Sequence, residues 1–151
     1  MSPQSLVTYR GAVYPSQCDH MGHMNVSSYV AKFDEATWHL FAAIGLTPSR
    51  LRAEPLGMAG LEQHIEYKRE LFAGDVVTVS SEILELKNKT IRFAHEMKND
   101  ETGEIAARMV VVAACLDRTT HRARPLPADV RDRASSLIEG ESAERTPARQ
   151  P

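Results

Sequence analysis

The sequence predicts an α+β fold in which one antiparallel sheet wraps around one long central helix. Three observations point there. A single stretch of helical periodicity follows Asn25 and stops at Gly45. Four apolar or alternating segments come after it, joined by short polar turns. A helix of roughly 20 residues spans about 30 Å, comparable with the strands, so a sheet wrapped around it buries both. Such a sheet leaves an open edge, which favours dimerisation through strand pairing.

The first strand is read over residues 6–14, where Val7, Tyr9 and Val13 alternate with polar neighbours before Pro15. Residues 16–23 are polar and contain Gly22, and read as a loop. Asn25 is a natural N-cap, because its side-chain oxygen can accept from an unpaired helical N–H. Tyr29, Phe33, Ala36, Leu40 and Ala43 then form one apolar row, with Val30, Thr37, Phe41 and Ile44 beside it. Gly45 and Pro48 mark the helix end. Residues 47–60, rich in proline and glycine, are expected to be irregular. Strands follow over 64–71, 76–86, 90–98 and 105–116, with turns at Lys87-Asn88-Lys89 and Asn99-Asp100-Glu101-Thr102-Gly103. The last strand is the most apolar and is placed centrally. Residues 127–138 read as a short terminal helix. One domain over 1–138 is therefore expected, with 139–151 a disordered tail.

At 151 residues, with 42% hydrophobic and 25% charged side chains, the chain is long enough for one real core. A net charge of -2 and a pI near 6.3 give no basic stripe for nucleic acid. No apolar run is long enough to span a membrane. Cys18 and Cys115 are too few to staple a secreted domain, and Met-Ser-Pro-Gln-Ser-Leu has no signal-peptide pattern. A cytoplasmic setting is expected.

Asp19 stands in the loop just before the long helix. A helix start offers unpaired N–H groups and a positive dipole end, which can hold a carbonyl oxygen as it becomes negative. A carboxylate there can attack the carbonyl carbon or activate a water. Gly22 would let backbone and substrate approach closely. The same residues equally suit an ordinary capping loop, and spacing alone leaves both readings open.

Asp19-His20-Met21-Gly22-His23-Met24-Asn25, with Tyr29, Phe33-Asp34-Glu35-Ala36 and Gly45-Leu46, resembles the pattern Asp-x-x-Gly-His-x-Asn…Tyr…Phe-x-x-Ala…Gly-Leu. That pattern belongs to the 4-hydroxybenzoyl-CoA thioesterase branch of the hotdog superfamily. The stretch from Ile65 to Gly74-Asp75 resembles the family's strand ending in Gly-Asp. The resemblance implies a hotdog fold and hydrolysis of acyl-CoA thioesters. It implies Asp19 as the catalytic carboxylate, backbone N–H groups around Val26 as the oxyanion site, and His23 and Asn25 as supporting residues. It also implies a homodimer or homotetramer and no cofactor beyond the coenzyme A of the substrate. Gln17 departs from the acidic residue many relatives carry there. Gln17-Cys18-Asp19-His20, Lys32-Phe33-Asp34-Glu35-Ala36-Thr37-Trp38 and Glu62-Gln63-His64 further resemble the betainyl-CoA thioesterases of carnitine catabolism.

A quaternary ammonium substrate would suit aromatic faces and a carboxylate, making Tyr29, Trp38, Glu66 and Tyr67 candidates beside their alternative role in packing. Arg118, Arg122 and Arg124 are candidates for the CoA phosphates, or an ordinary solvated connection. Cys18, His20 and His23 lack the second ligand pair of a structural zinc site, so no metal is expected. His95, on an apolar strand face, reads as a satisfied core histidine. Asp34 and Glu35 either line the site or face solvent. Other readings are a hotdog acyl-CoA dehydratase and a non-catalytic acyl-CoA-binding protein.

Overall fold

The structure, a computed structural model, describes residues 1, 2 and 4–144, with side chains as far as residue 138. The chain runs β1 (Leu6–Ala12), a 3₁₀ turn (Pro15–Gln17), α1 (Val26–Ala43), α2 (Pro48–Ala53) and β2 (Leu56–Tyr67). Then come β3 (Val76–Leu86), β4 (Thr90–Asn99), β5 (Ile105–Asp117), β6 (Arg122–Ala123) and α3 (Ala128–Glu144). The strands form one sheet in the order β1-β3-β4-β5-β2, antiparallel throughout, and β6 pairs with the end of β5. The apolar strand β5 is interior, as its composition requires, although β4 holds the middle place.

The long helix packs onto this sheet as its periodicity dictates. Tyr29, Phe33, Ala36, Leu40 and Phe41 are buried on α1, against Ile91, Phe93 and Met97 of β4 and Met109 and Val111 of β5. Each large apolar side chain fully buried there contributes about 1.5–3 kcal/mol relative to exposure. Lys32, which belongs to the polar side by pattern, is buried instead. Its ammonium donates to the Tyr9 hydroxyl at 3.1 Å and the Ala12 carbonyl at 3.3 Å, so β1 supplies the polar partners that burial demands.

Four elements meet at His95, which is fully buried. Its Nδ1 bonds the Ser81 hydroxyl on β3, and its Nε2 bonds Thr37 Oγ1 on α1 at 2.8 Å. Ser81 continues to Thr8 on β1 at 2.6 Å. The histidine is thus a hydrogen-bonded core residue, stacked against Phe33.

Three expectations need correction. Residues 47–60 are ordered: Thr47 caps α2 by accepting from the Arg50 N–H, and Pro48 sits in the first turn, where its missing donor costs nothing. Leu56–Gly60 then pair with the end of β5, from Leu56↔Asp117 to Gly60↔Ala113. The strand expected to reach residue 71 ends at Tyr67, because the Lys68 and Arg69 amides both turn to one acceptor, the Ala106 carbonyl. The terminal helix continues to Glu144, into the stretch expected as tail, and 145–151 lie outside the described residues. No helix among the described residues is long and apolar enough to cross a membrane.

Candidate active site

The loop between β1 and α1 is tied down residue by residue. The Asp19 N–H donates to the His23 carbonyl at 2.9 Å, and the Gly22 N–H to the Asp19 carbonyl at 3.0 Å. Gly22 closes this turn with φ +89°, a conformation that favours glycine; a Cβ there would meet nothing within 4 Å. Backbone conformation, rather than close approach, therefore explains the glycine. One Asp19 carboxylate oxygen accepts from the Met21 N–H at 2.9 Å, which aims the side chain without a cationic partner among the described residues.

Asn25 organises the helix start. Its Oδ1 accepts from the Ser27 N–H and the Ser27 hydroxyl, both at 3.0 Å, and its own N–H donates to the Gln17 carbonyl at 2.7 Å. The Ser28 N–H turns back to the Asn25 carbonyl. Among the described residues this leaves the Val26 N–H without an acceptor, at the positive end of α1. Replacing Asn25 with alanine is expected to lower stability by about 0.5–2 kcal/mol, read as a lower urea midpoint at unchanged slope.

A distant segment completes the site. The Met24 N–H donates to the Leu71 carbonyl at 2.7 Å, and His23 bridges Phe72, so residues 68–72 lie alongside the loop. That segment is held by a Gly-Asp turn: Gly74 has φ +94°, and Asp75 accepts from the Phe72 N–H at 2.8 Å. The Tyr29 hydroxyl donates to the Arg69 carbonyl at 3.0 Å, and burial pushes its pKa upward. Tyr67 meets Tyr29 edge-on with ring centroids 5.3 Å apart. His23 Nε2 lies 3.6 Å from Glu70.

Asp19, His23, Val26, Tyr29 and Tyr67 consequently line one cavity of about 350 Å³, with Lys68, Arg69 and Glu70 on its far wall. A second cavity of about 470 Å³ runs along α1 and begins one residue away, at Ser27. Its walls are Val30, Asp34, Trp38 and Phe41 from the helix, facing Met58, Phe93 and Met109 of the sheet.

This arrangement has relatives. Residues 13–134 match the profile of the Thioesterase-like superfamily. The chain belongs to that superfamily. Its fold is the hotdog fold, the α+β architecture of a sheet curled around a helix, and the family is one of thioester hydrolases. The thioesterase chain is 27% identical over 140 residues to a betainyl-CoA thioesterase of Pseudomonas aeruginosa, covering 93% of this chain and 88% of the relative. It is 22% identical over 120 residues to the long-chain acyl-CoA thioesterase FadM of Escherichia coli, covering 77% and 87% respectively. A Staphylococcus aureus protein solved in complex with CoA superposes with a TM-score of 0.80 at 21% identity, over 97% of this chain and 90% of that one.

Within the thioesterase fold the sequence-derived residues separate into groups. Asp19, His23, Val26, Tyr29 and Tyr67 share one cavity, while Gly22 and Asn25 do not line it but fix the turn and the helix start that carry Asp19 and Val26. Trp38 lies instead in the cavity along α1, where it is 52% exposed. Glu66 does not line the Asp19 cavity; it faces Lys68 at 3.8 Å and His64 at 3.4 Å. Arg118 holds the Glu54 carbonyl beside the first residues of β2, and Arg122 and Arg124 lie near it. That is the end of β2 opposite Tyr67, roughly 36 Å away along a strand of this length. Sequence reading missed Lys68, Arg69 and Glu70, whose place depends on the bridge between His23 and Phe72.

Proposed function

We propose that this thioesterase hydrolyses acyl-CoA, with the Asp19 carboxylate as nucleophile or general base and the Val26 N–H as oxyanion donor. The observation that carries the reading is a carboxylate and an unsatisfied helix-start amide on the walls of one cavity. As a nucleophile, Asp19 bonds a carboxylate oxygen to the acyl carbon as the C–S bond breaks, and water then cleaves the resulting mixed anhydride to the free acid and the regenerated carboxylate. As a general base, Asp19 leaves the acyl carbon to bond directly to a water oxygen as the C–S bond breaks. The thiolate leaves as CoA and takes up a proton, and the free acid is released. When water is the attacking group, Asp19 removes its proton as the new C–O bond forms. Negative charge then builds on the former carbonyl oxygen, where the Val26 N–H and the dipole of α1 stabilise it.

Lys68 and Arg69 border this cavity and offer charge-assisted hydrogen bonds to the CoA phosphates. In our reading Arg118, Arg122 and Arg124 serve that role only across a dimer. Antiparallel pairing of two β2 edges about their midpoint would set the arginine end of one chain beside Tyr67 of the other. Sedimentation equilibrium tests this: the expected species is a dimer, and a monomer at micromolar concentration removes the arginine role.

The Pseudomonas relative's name supports betainyl-CoA as the ester to assay first. A thiol-release assay across betainyl, straight-chain, branched and aromatic acyl-CoAs tests the reaction, with crotonyl-CoA added to detect hydration. Release of CoA from at least one ester is expected; hydration of crotonyl-CoA without thiol release would instead establish a dehydratase.

A further inference from the structure

Direct attack by Asp19 leaves the site in need of a second base. A carboxylate bound up in a mixed anhydride can no longer take a proton from water, so the hydrolytic step requires another acceptor. The cavity around Asp19 holds few. Lys68 and Arg69 bring cationic side chains, which donate but do not accept. The Tyr29 hydroxyl is engaged with the Arg69 carbonyl and burial pushes its pKa upward, while a protonated phenol such as Tyr67 is a poor base. His23 and Glu70 are what remain on the cavity wall.

His23 is placed by both its backbone and its ring. Its carbonyl accepts from the Asp19 N–H at 2.9 Å, so residues 19 and 23 close one tight turn, and both side chains line the cavity. The ring meets Phe72 edge-on with centroids 5.8 Å apart. Its one polar side-chain contact among the described residues is at Nε2, which lies 3.6 Å from a Glu70 carboxylate oxygen. A carboxylate on that side favours the tautomer with the proton on Nε2 and leaves Nδ1 as the acceptor. Glu70 itself is 63% exposed, whereas the His23 side chain is 26% exposed. Imidazole is also the base better matched to neutral pH.

We infer that His23 is a second catalytic residue: Asp19 attacks the thioester, and His23 Nδ1 takes the proton of the water that hydrolyses the acyl-Asp19 anhydride. The inference rests on the acyl-CoA hydrolase reading and takes its nucleophilic branch. In the first step an Asp19 oxygen bonds to the acyl carbon, the C–S bond breaks and the CoA thiolate leaves. In the second, the water oxygen bonds to the acyl carbon, its proton passes to Nδ1, and the bond to Asp19 breaks to return the carboxylate. The imidazolium releases that proton to solvent and the thiolate takes one up, so acyl-CoA and water become free acid and CoA.

The burst of thiol in His23→Gln tests this. The variant is mixed rapidly with whichever of betainyl-, hexanoyl-, isobutyryl- and benzoyl-CoA the wild-type protein cleaves fastest. The first CoA per active site should appear within about threefold of the wild-type rate, and later turnovers should be about 10²-fold slower. Acid-quenched protein should carry the mass of an acyl group, and the same adduct should be missing from Asp19→Asn. Hydroxylamine, a nucleophile strong enough to cleave an anhydride without a base, should restore turnover and yield the acyl hydroxamate. His23→Phe keeps an aromatic edge against Phe72 and should show the same burst, which guards against a folding defect peculiar to one variant. A role confined to shaping the loop would slow the first and later turnovers together, with no burst and no adduct, and overturns the inference. Steady-state rates within about threefold of wild type in both variants overturn it as well. A wild-type protein that releases thiol from none of the four esters removes the hydrolase reading itself, and this inference with it.

Discussion

Replacing Asp19 with asparagine is expected to lower kcat/KM for thioester hydrolysis by about 10³-fold while leaving fold and stability unchanged. The substitution is close to isosteric, and the amide oxygen can still accept from the Met21 N–H, as the carboxylate does at 2.9 Å. What disappears is the negative charge, and with it the capacity to attack a carbonyl or take a proton from water. General-base and nucleophilic roles are each worth about 10²–10⁴ in rate, or about 3–5 kcal/mol of barrier. A residual rate should remain, because the Val26 N–H is untouched and oxyanion stabilisation acts on its own. Asp19→Ala should be as inactive and slightly less stable, since it also frees the Met21 amide. Circular dichroism and urea midpoints establish that the asparagine variant is folded. A loss of less than threefold would remove Asp19 from the chemistry.

Acidification should destabilise the protein through His95 to an extent surface histidines cannot match. In the unfolded chain its imidazole titrates near pH 6.5. In the fold, burial pushes that pKa down to about 3. Between these values the unfolded chain binds a proton that the native state refuses, so stability falls as pH falls. The stabilisation is fully present above about pH 6.5 and is lost progressively toward pH 3. Lowering the pH from 7 to 4.5 should cost about 2–3 kcal/mol from this group alone. Urea midpoints at pH 7, 5.5 and 4.5 measure it, with His95→Gln as the comparison. The glutamine variant should be less stable at pH 7, because it disrupts hydrogen bonds to Ser81 and Thr37, yet its stability should vary less with pH. Parallel pH curves for the two proteins would contradict this.

The parts of the fold legible in the sequence are those written in local pattern. Asn25 and Gly45 bracket α1 because capping and a left-handed residue are local requirements, and Gly45 does take φ +95°. The turns between β3, β4 and β5 were legible for the same reason. The beginning of β2 was not: Gly57 and Gly60 weaken its pattern, and it forms only because β5 offers a partner far away in sequence. Six-residue α2 is too short to show a period.

The site divides along the same line. Asp19, Gly22, Asn25 and Val26 are neighbours in sequence, so their joint geometry could be anticipated. Lys68, Arg69 and Glu70 reach the cavity through long-range pairing. The burial of Lys32 depends on Tyr9 crossing from β1, which no helical period reveals. Asp34, weighed as either solvated or functional, faces a cavity whose opposite wall comes from β2, β4 and β5.

The most direct measurement is a crystal structure of the Asp19→Asn variant holding an intact acyl-CoA. The carbonyl oxygen is predicted to lie about 3 Å from the Val26 nitrogen, at ordinary hydrogen-bond distance, with the carbonyl carbon facing the residue 19 side chain. A thioester seated elsewhere, with the Val26 amide turned to water, would contradict the account.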